Sequence, residues 1–158
     1  MESRAQQASS RYIKAGAVAR SRATPATVFS LLRNSETWPR WSLFNSFELE
    51  RVGKDERFGV GAIRSFSTRV SKTREQVTDL IPNQKLSYVL LSGLPLRNYR
   101  AVVCLSSPES GVTLVSWTAS FQCKYGTGWF WRIFLNLILS RVATQLAAAA
   151  EKLNPSDS

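Results

Sequence analysis

The stretch WFWRIFLNLILSRVATQLAAAAEKL, residues 129–153, decides the fold. Arg132, Asn136, Ser140 and Thr144 recur every four residues as a polar stripe. Trp131, Phe134, Leu135, Ile138, Val142, Leu146, Ala149 and Leu153 form the opposing apolar stripe of one long amphipathic helix. The alanine run 147–150 favours helix and is thin, which permits close approach to a sheet. Asn154-Pro155 stops the helix. Such a helix needs a broad apolar surface to lie on.

The residues before it supply that surface as strands. Residues 12–21 place Ile13, Ala15, Ala17 and Ala19 on one face. Thr24 then caps a short helix that has Pro25 at its first position and Val28, Phe29, Leu31 and Leu32 at helical spacing, ending near Asn34. Ser35 is expected to cap a second short turn carrying Glu36 and Trp38, which Pro39 cuts off within a residue or two. From there the period becomes two. Strands are expected over 44–52, 62–70, 75–81, 86–91, 99–106 and 112–123, with turns at Pro82-Asn83, 93–95 and 108–111. Six strands in succession with short turns make an antiparallel meander. With the first strand added, a twisted seven-stranded sheet curls around the terminal helix, an α+β arrangement.

The chain of 158 residues reads as one domain over 12–153, with a loose leader at 1–11 and a tail at 154–158. Apolar residues at 44% and charged residues at 20% are globular values. The formal charge is +10, and 15 of the 21 cations are arginine. This excess favours contact with something anionic, whether nucleic acid, an acidic membrane surface or an acidic ligand, but its dispersal along the chain reads as a solvated basic surface before a dedicated nucleic-acid face. The longest greasy stretch, 129–139, is interrupted by Arg132 and Asn136 and is too short to span a bilayer. No signal peptide is recognisable, and a cytoplasmic setting is expected. Cys104 and Cys123 fall on two strands of a hairpin in which Cys104 lies opposite roughly Val115, so they are read as separate, buried structural thiols. The absence of histidine, with only two separated cysteines, excludes a zinc site and a Cys-His nucleophile. No metal or cofactor is implied.

A curved sheet gripping one helix rarely closes along its whole length, and an apolar cavity forms where it gapes. The stretch SETWPRWSLF, residues 35–44, puts Trp38 and Trp41 where the wall of that cavity meets its lid. Strand phase turns Glu75 and Val77 inward, as it does Leu86, Tyr88 and Leu90, then Tyr99, Ala101, Val103 and Leu105, then Val115, Trp117, Ala119 and Phe121. The phase of 62–70 is ambiguous, since Ile63 and Phe66 fall on opposite faces. The ligand-facing set is therefore Trp41, Phe66, Glu75, Val77, Tyr88, Leu90, Tyr99, Val103, Trp117 and Phe121, with Phe134 and Ile138 from the helix. Glu75 is the informative member. A carboxylate facing an apolar pocket loses hydration and its pKa rises, which suits a general acid/base or an anchor for a ligand hydroxyl, partnered by Tyr88 or Tyr99. The plainer account is that it is solvated, or paired with Arg64 or Arg74. Arg97 and Arg100 read as surface charges, with a role at the pocket mouth as the alternative. Trp129, Phe130 and Trp131 read as a plug at the start of the helix, with membrane contact as the alternative.

The order and spacing of ATPATVFSLLRNSETWPRWS, GVGAIRSF, EQVTDLIPNQKLSYVL, SGLPLRNYRAVVCL, SWTASF and the final helix resemble the polyketide cyclase/dehydrase and lipid-transport family of the START-like (SRPBCC) superfamily. The resemblance implies the helix-grip fold and a deep hydrophobic pocket, used across relatives for lipids, polyketides, sterols or hormones. It carries no catalytic set onto this chain: where some relatives hold a pocket histidine, the sequence reads Ala101-Val102-Val103. The expected function is binding or transport of a hydrophobic small molecule. A cyclase, aromatase or dehydratase acting through Glu75 and a tyrosine is the alternative, and a monomer or homodimer is expected.

Overall fold

A computed structural model describes residues 11–153. Seven strands form one antiparallel sheet: β1 (Ile13–Ser21), β2 (Ser46–Arg51), β3 (Ile63–Ser67), β4 (Lys72–Ile81), β5 (Lys85–Ser92), β6 (Arg97–Glu109) and β7 (Val112–Gln122). Their spatial order is β1-β7-β6-β5-β4-β3-β2, a meander with the first strand returned to the far edge. Helices α1 (Pro25–Arg33) and α2 (Trp38–Trp41) lie between β1 and β2, joined by a 3-10 turn over Ser35–Thr37, and α3 (Gly128–Leu153) ends the described chain.

Each element has a local cause. The Thr24 side chain accepts a hydrogen bond from the Thr27 amide and Pro25 occupies the first turn, which starts α1. Along β7 the burial alternates, with Val115, Trp117, Ala119 and Phe121 inward. The register sets Trp117 against Val103, and Ala119 against Ala101 on β6 and Ala15 on β1. Gly93 turns β5 toward β6 with φ +116°, where a Cβ would sit 2.4 Å from the Lys72 carbonyl oxygen.

Helix α3 packs into the concave face and is pinned along β1 by three polar contacts. Asn136 Oδ1 accepts from the Gly16 amide at 2.8 Å, the Ala147 carbonyl accepts from Ser21 Oγ at 2.9 Å, and Glu151 accepts from the Arg22 amide at 2.8 Å. Its buried stripe is Leu135, Leu139, Val142, Ala143, Leu146, Ala147 and Ala150. This differs from the expected stripe. Phe134 and Leu153 are exposed, Asn136 belongs to the sheet contact, and the alanines carry the close approach.

Other details also correct the sequence reading. Asn34, not Ser35, caps the turn after α1, and Pro39 sits at the start of α2 instead of ending it. Ser35 is buried and accepts a hydrogen bond from Arg64. Strand β6 runs on to Glu109, which pairs with Val112, so only Ser110-Gly111 make the turn. Cys104 lies opposite Ser116 and is exposed, while Cys123 is buried; both are free thiols. Trp129 and Phe130 are exposed and so plug nothing. The expected leader and tail, with the Asn154-Pro155 stop, lie almost wholly outside the described residues.

Candidate functional site

The sheet and α3 leave a cavity of about 500 Å³ between them. Its wall is mostly apolar: Trp38, Leu43 and Phe44 from the segment around α2, Leu90 and Trp117 from the sheet, and Phe134, Leu135, Ile138, Leu139 and Val142 from α3. Glu75, Tyr88 and Tyr99 are the polar side chains at its inner wall. Residues 68–71 and Leu94 frame the mouth, where Val70 is 94% exposed.

The far end is closed by aromatic stacking. Trp38 is buried, donates from Nε1 to the Leu32 carbonyl at 3.1 Å, stacks on Phe66 at 4.6 Å and meets Trp117 edge-on at 5.7 Å. Beneath this cluster lies Arg64, 1% exposed, its guanidinium 4.6 Å from the Trp38 ring centre and 5.1 Å from that of Tyr88. Strand register brings it to Glu75, since Arg64 on β3 pairs directly with Glu75 on β4. Arg64 Nη2 stands 3.2 Å from Glu75 Oε1, and Nη1 donates to Ser35 Oγ at 3.0 Å. The ion pair is not aligned as a hydrogen bond, and Arg64 Nε, Arg64 Nη2 and Glu75 Oε1 have no hydrogen-bond partner.

Burial raises the Glu75 pKa against the opposing pull of the Arg64 charge. Burial, with the Glu75 charge second, also holds the Tyr88 and Tyr99 hydroxyls protonated far into the alkaline range. Trp117 Nε1, which can only donate, bonds Tyr88 Oη at 3.0 Å, so Tyr88 accepts there and keeps its own proton to donate. The cavity thus offers protonated tyrosine hydroxyls and one under-bonded carboxyl in an apolar wall.

Of the expected ligand-facing residues, Glu75, Tyr88, Leu90, Tyr99, Trp117, Phe134 and Ile138 reach the cavity. Trp41, Phe66, Val77, Val103 and Phe121 do not. Trp41 turns back to donate to Thr37 Oγ1 at 3.0 Å, Phe66 lies behind Trp38, and Val77, Val103 and Phe121 are sealed into the core. Trp38 is wall, not lid. Arg74 pairs with Glu50 outside the cavity, and Arg97 and Arg100 are exposed. The mouth residues Val70 and Leu94 and the wall residues Leu43, Phe44 and Leu139 are not in the ligand-facing set read from the sequence, whereas Arg64 is the partner that the plainer account of Glu75 names. For Arg64 a signal existed, because pairing the strand 62–70 with the next places it opposite Glu75.

A family model described as polyketide cyclase / dehydrase and lipid transport matches residues 13–151. No curated protein matches the sequence. Among solved structures, a START superfamily protein from Mycobacterium smegmatis superposes with a TM-score of 0.77 at 14% identity, covering 90% of this chain and 99% of that one. The protein XoxI from Bacillus cereus gives a TM-score of 0.73 at 16% identity, over 89% of this chain and 97% of its own. An Aha1 dimer from Colwellia psychrerythraea gives 0.71 at 19% identity, over 88% and 96%. At these identities the structures establish a shared fold.

Proposed function

Because the chain belongs to the polyketide cyclase/dehydrase and lipid-transport family, we propose that it binds and carries a hydrophobic small molecule, lipid- or polyketide-like, in the cavity between the sheet and α3. The observation that carries this reading is a mostly apolar hollow of about 500 Å³ with Glu75, Tyr88 and Tyr99 at its inner wall. Small-molecule sites fall in the range of roughly 300–1,000 Å³ and combine apolar lining with a few placed polar groups. Glu75 and Tyr99 would meet one hydroxyl or carbonyl on the cargo, and the rest of it would lie against Trp117, Leu90 and Ile138.

Native mass spectrometry of gently purified protein should show co-purified mass, and a fluorescent fatty acid should bind and be displaced by that extract. Ile138→Trp, which fills the hollow from its half-buried wall, should abolish both. Undiminished binding in that variant, or no bound mass and no probe binding in the parent, removes the proposal.

Glu75 favours a second reading, a cyclase or dehydratase. A buried carboxyl with a raised pKa can donate a proton to a departing hydroxyl, and a shaped cavity can orient a flexible chain for ring closure. Turnover of a polyketide-like substrate would then fall steeply in Glu75→Gln and lose its pH dependence. Unchanged turnover takes Glu75 out of the chemistry.

A further inference from the structure

Helix α3 is apolar on two faces, and only one of them meets the protein. The inner face is the buried stripe that begins at Leu135. The outer face carries Trp129, 69% exposed, then Phe130, Ile133, Phe134 and Leu137, the last 67% exposed. Their spacing of three and four places them in one strip. The aromatic members pack on one another, Phe130 stacking on Phe134 at 6.1 Å. An 18-residue window of this helix has mean hydropathy 1.5 although only 39% of it is buried, more apolar character than the core contact uses. The strip runs into the cavity mouth, since Phe134 belongs to both, with exposed Val70 across the opening.

Charge adds to the character of this face. Between Glu109 and Glu151 the sequence has no acidic residue, yet it has Lys124, Arg132 and Arg141, all exposed. Arg69 is exposed beside Val70. None of these four cations has an ion pair among the described residues. Elsewhere several surface arginines are neutralised, Arg20 by Glu109, Arg33 by Glu56, Arg57 by Glu36 and Arg74 by Glu50. An exposed strip of Trp, Phe, Ile and Leu beside unpaired arginines has the chemistry of a membrane-surface helix: aromatic rings at the interface, cations at the headgroup phosphates.

We propose that the N-terminal half of α3 docks the cavity mouth onto an anionic lipid bilayer. A second copy of the chain would cover the apolar strip, but it would bring Arg132 and Arg141 up to a segment that carries no acidic residue between Glu109 and Glu151 to receive them. An anionic membrane satisfies both features of the face at once. The docking is independent of what the cavity holds, so the vesicle experiment below can fail while cargo binding stands, and the reverse.

The test is flotation of the full chain with vesicles of phosphatidylcholine alone and of phosphatidylcholine with phosphatidylglycerol. Binding is expected on the anionic vesicles and should weaken with added salt. Trp129→Ser/Ile133→Ser/Leu137→Ser should lower the partition coefficient by about tenfold or more. Arg132→Gln/Arg141→Gln should lower it by roughly fivefold per charge. All five positions are exposed, so thermal unfolding should match the parent. Absence of flotation, equal binding to uncharged vesicles, or variants that bind like the parent would overturn the proposal. So would a concentration-dependent dimer in sedimentation velocity that Leu137→Asp breaks, seen without vesicle binding, which would assign the face to a second copy.

Discussion

The two ends of the cavity are built on opposite plans. At the closed end Trp38, Phe66 and Trp117 stack over a buried guanidinium, and every ring is enclosed. At the mouth Val70 and Phe134 stand in the open, and the polar groups nearby are Thr68, Ser71 and the exposed Arg69. The same sheet and helix make both ends. The difference comes from what lies over the sheet: at one end α1 and α2 fold back across it, and at the other only loops reach α3. Stability is therefore concentrated at the closed end, and access at the mouth.

The largest test of that contrast is Trp38→Ala. Removing a buried indole that holds a hydrogen bond, a stacked phenyl and a cation should cost about 3–5 kcal/mol in urea unfolding. Phe134→Ala, at the other end and exposed, should cost under about 1 kcal/mol. Comparable losses at the two sites would show that the mouth carries as much of the fold as the floor.

Within α3 the same contrast recurs along one helix. Leu146 is fully buried against the sheet and α1, so Leu146→Ala should cost roughly 2–5 kcal/mol. Ile138 is half-buried on a hollow that already lacks partner atoms on one side, so Ile138→Ala should cost less, about 1 kcal/mol. Ranking the two by chemical denaturation sharpens the comparison. If Ile138→Ala is the more destabilising, the wall there is packed and not hollow.

Much of this arrangement could be read from residue periodicity, and the limits of that reading are physical. Alternation along 112–123 turns Trp117 and Phe121 inward alike, because phase fixes direction. Phase does not fix depth. Val103 and Phe121 point to the same side as Tyr99 and Trp117, yet α1 and α3 press directly on them and leave no space. The thin alanine run 147–150 reads as allowing close approach to a sheet, and Ala147 and Ala150 are buried, while Ala143, outside that run and buried with them, is missed because a small side chain gives a weak apolar signal. The mouth was illegible for another reason: residues 68–70 read as the end of a strand of ambiguous phase, whereas the strand stops at Ser67, and only the assembled fold brings 68–71 and Leu94 to the cavity. Arg64 is named beside Arg74 as a partner for Glu75, but its full burial is not legible, since an arginine on a strand reads as surface until the assembled fold covers it.

The smallest effect, and the one that probes the closed end most finely, is the pH dependence set by Glu75. Its pKa is raised by burial above the ordinary value of 4.5 that it regains on unfolding. Folded protein therefore holds a proton that unfolded protein releases, and stability falls as pH rises from about that value through the folded pKa, then levels. Glu50, which is exposed, and Asp79, which is half-buried, are lowered by Arg74 and Lys85 and act in the opposite sense, so the parent curve alone mixes the two. The difference between the parent and Glu75→Gln isolates the buried group, because glutamine keeps the shape of the protonated acid and cannot ionise. The variant should match the parent in acid and become the more stable of the two as pH rises, by about 1.4 kcal/mol for each unit by which the folded pKa is raised. A variant that instead loses ground with rising pH would mean that the Arg64 charge at 3.2 Å outweighs desolvation. The floor of the cavity would then hold a carboxylate, a group that accepts hydrogen bonds from a cargo hydroxyl but cannot donate one to a carbonyl.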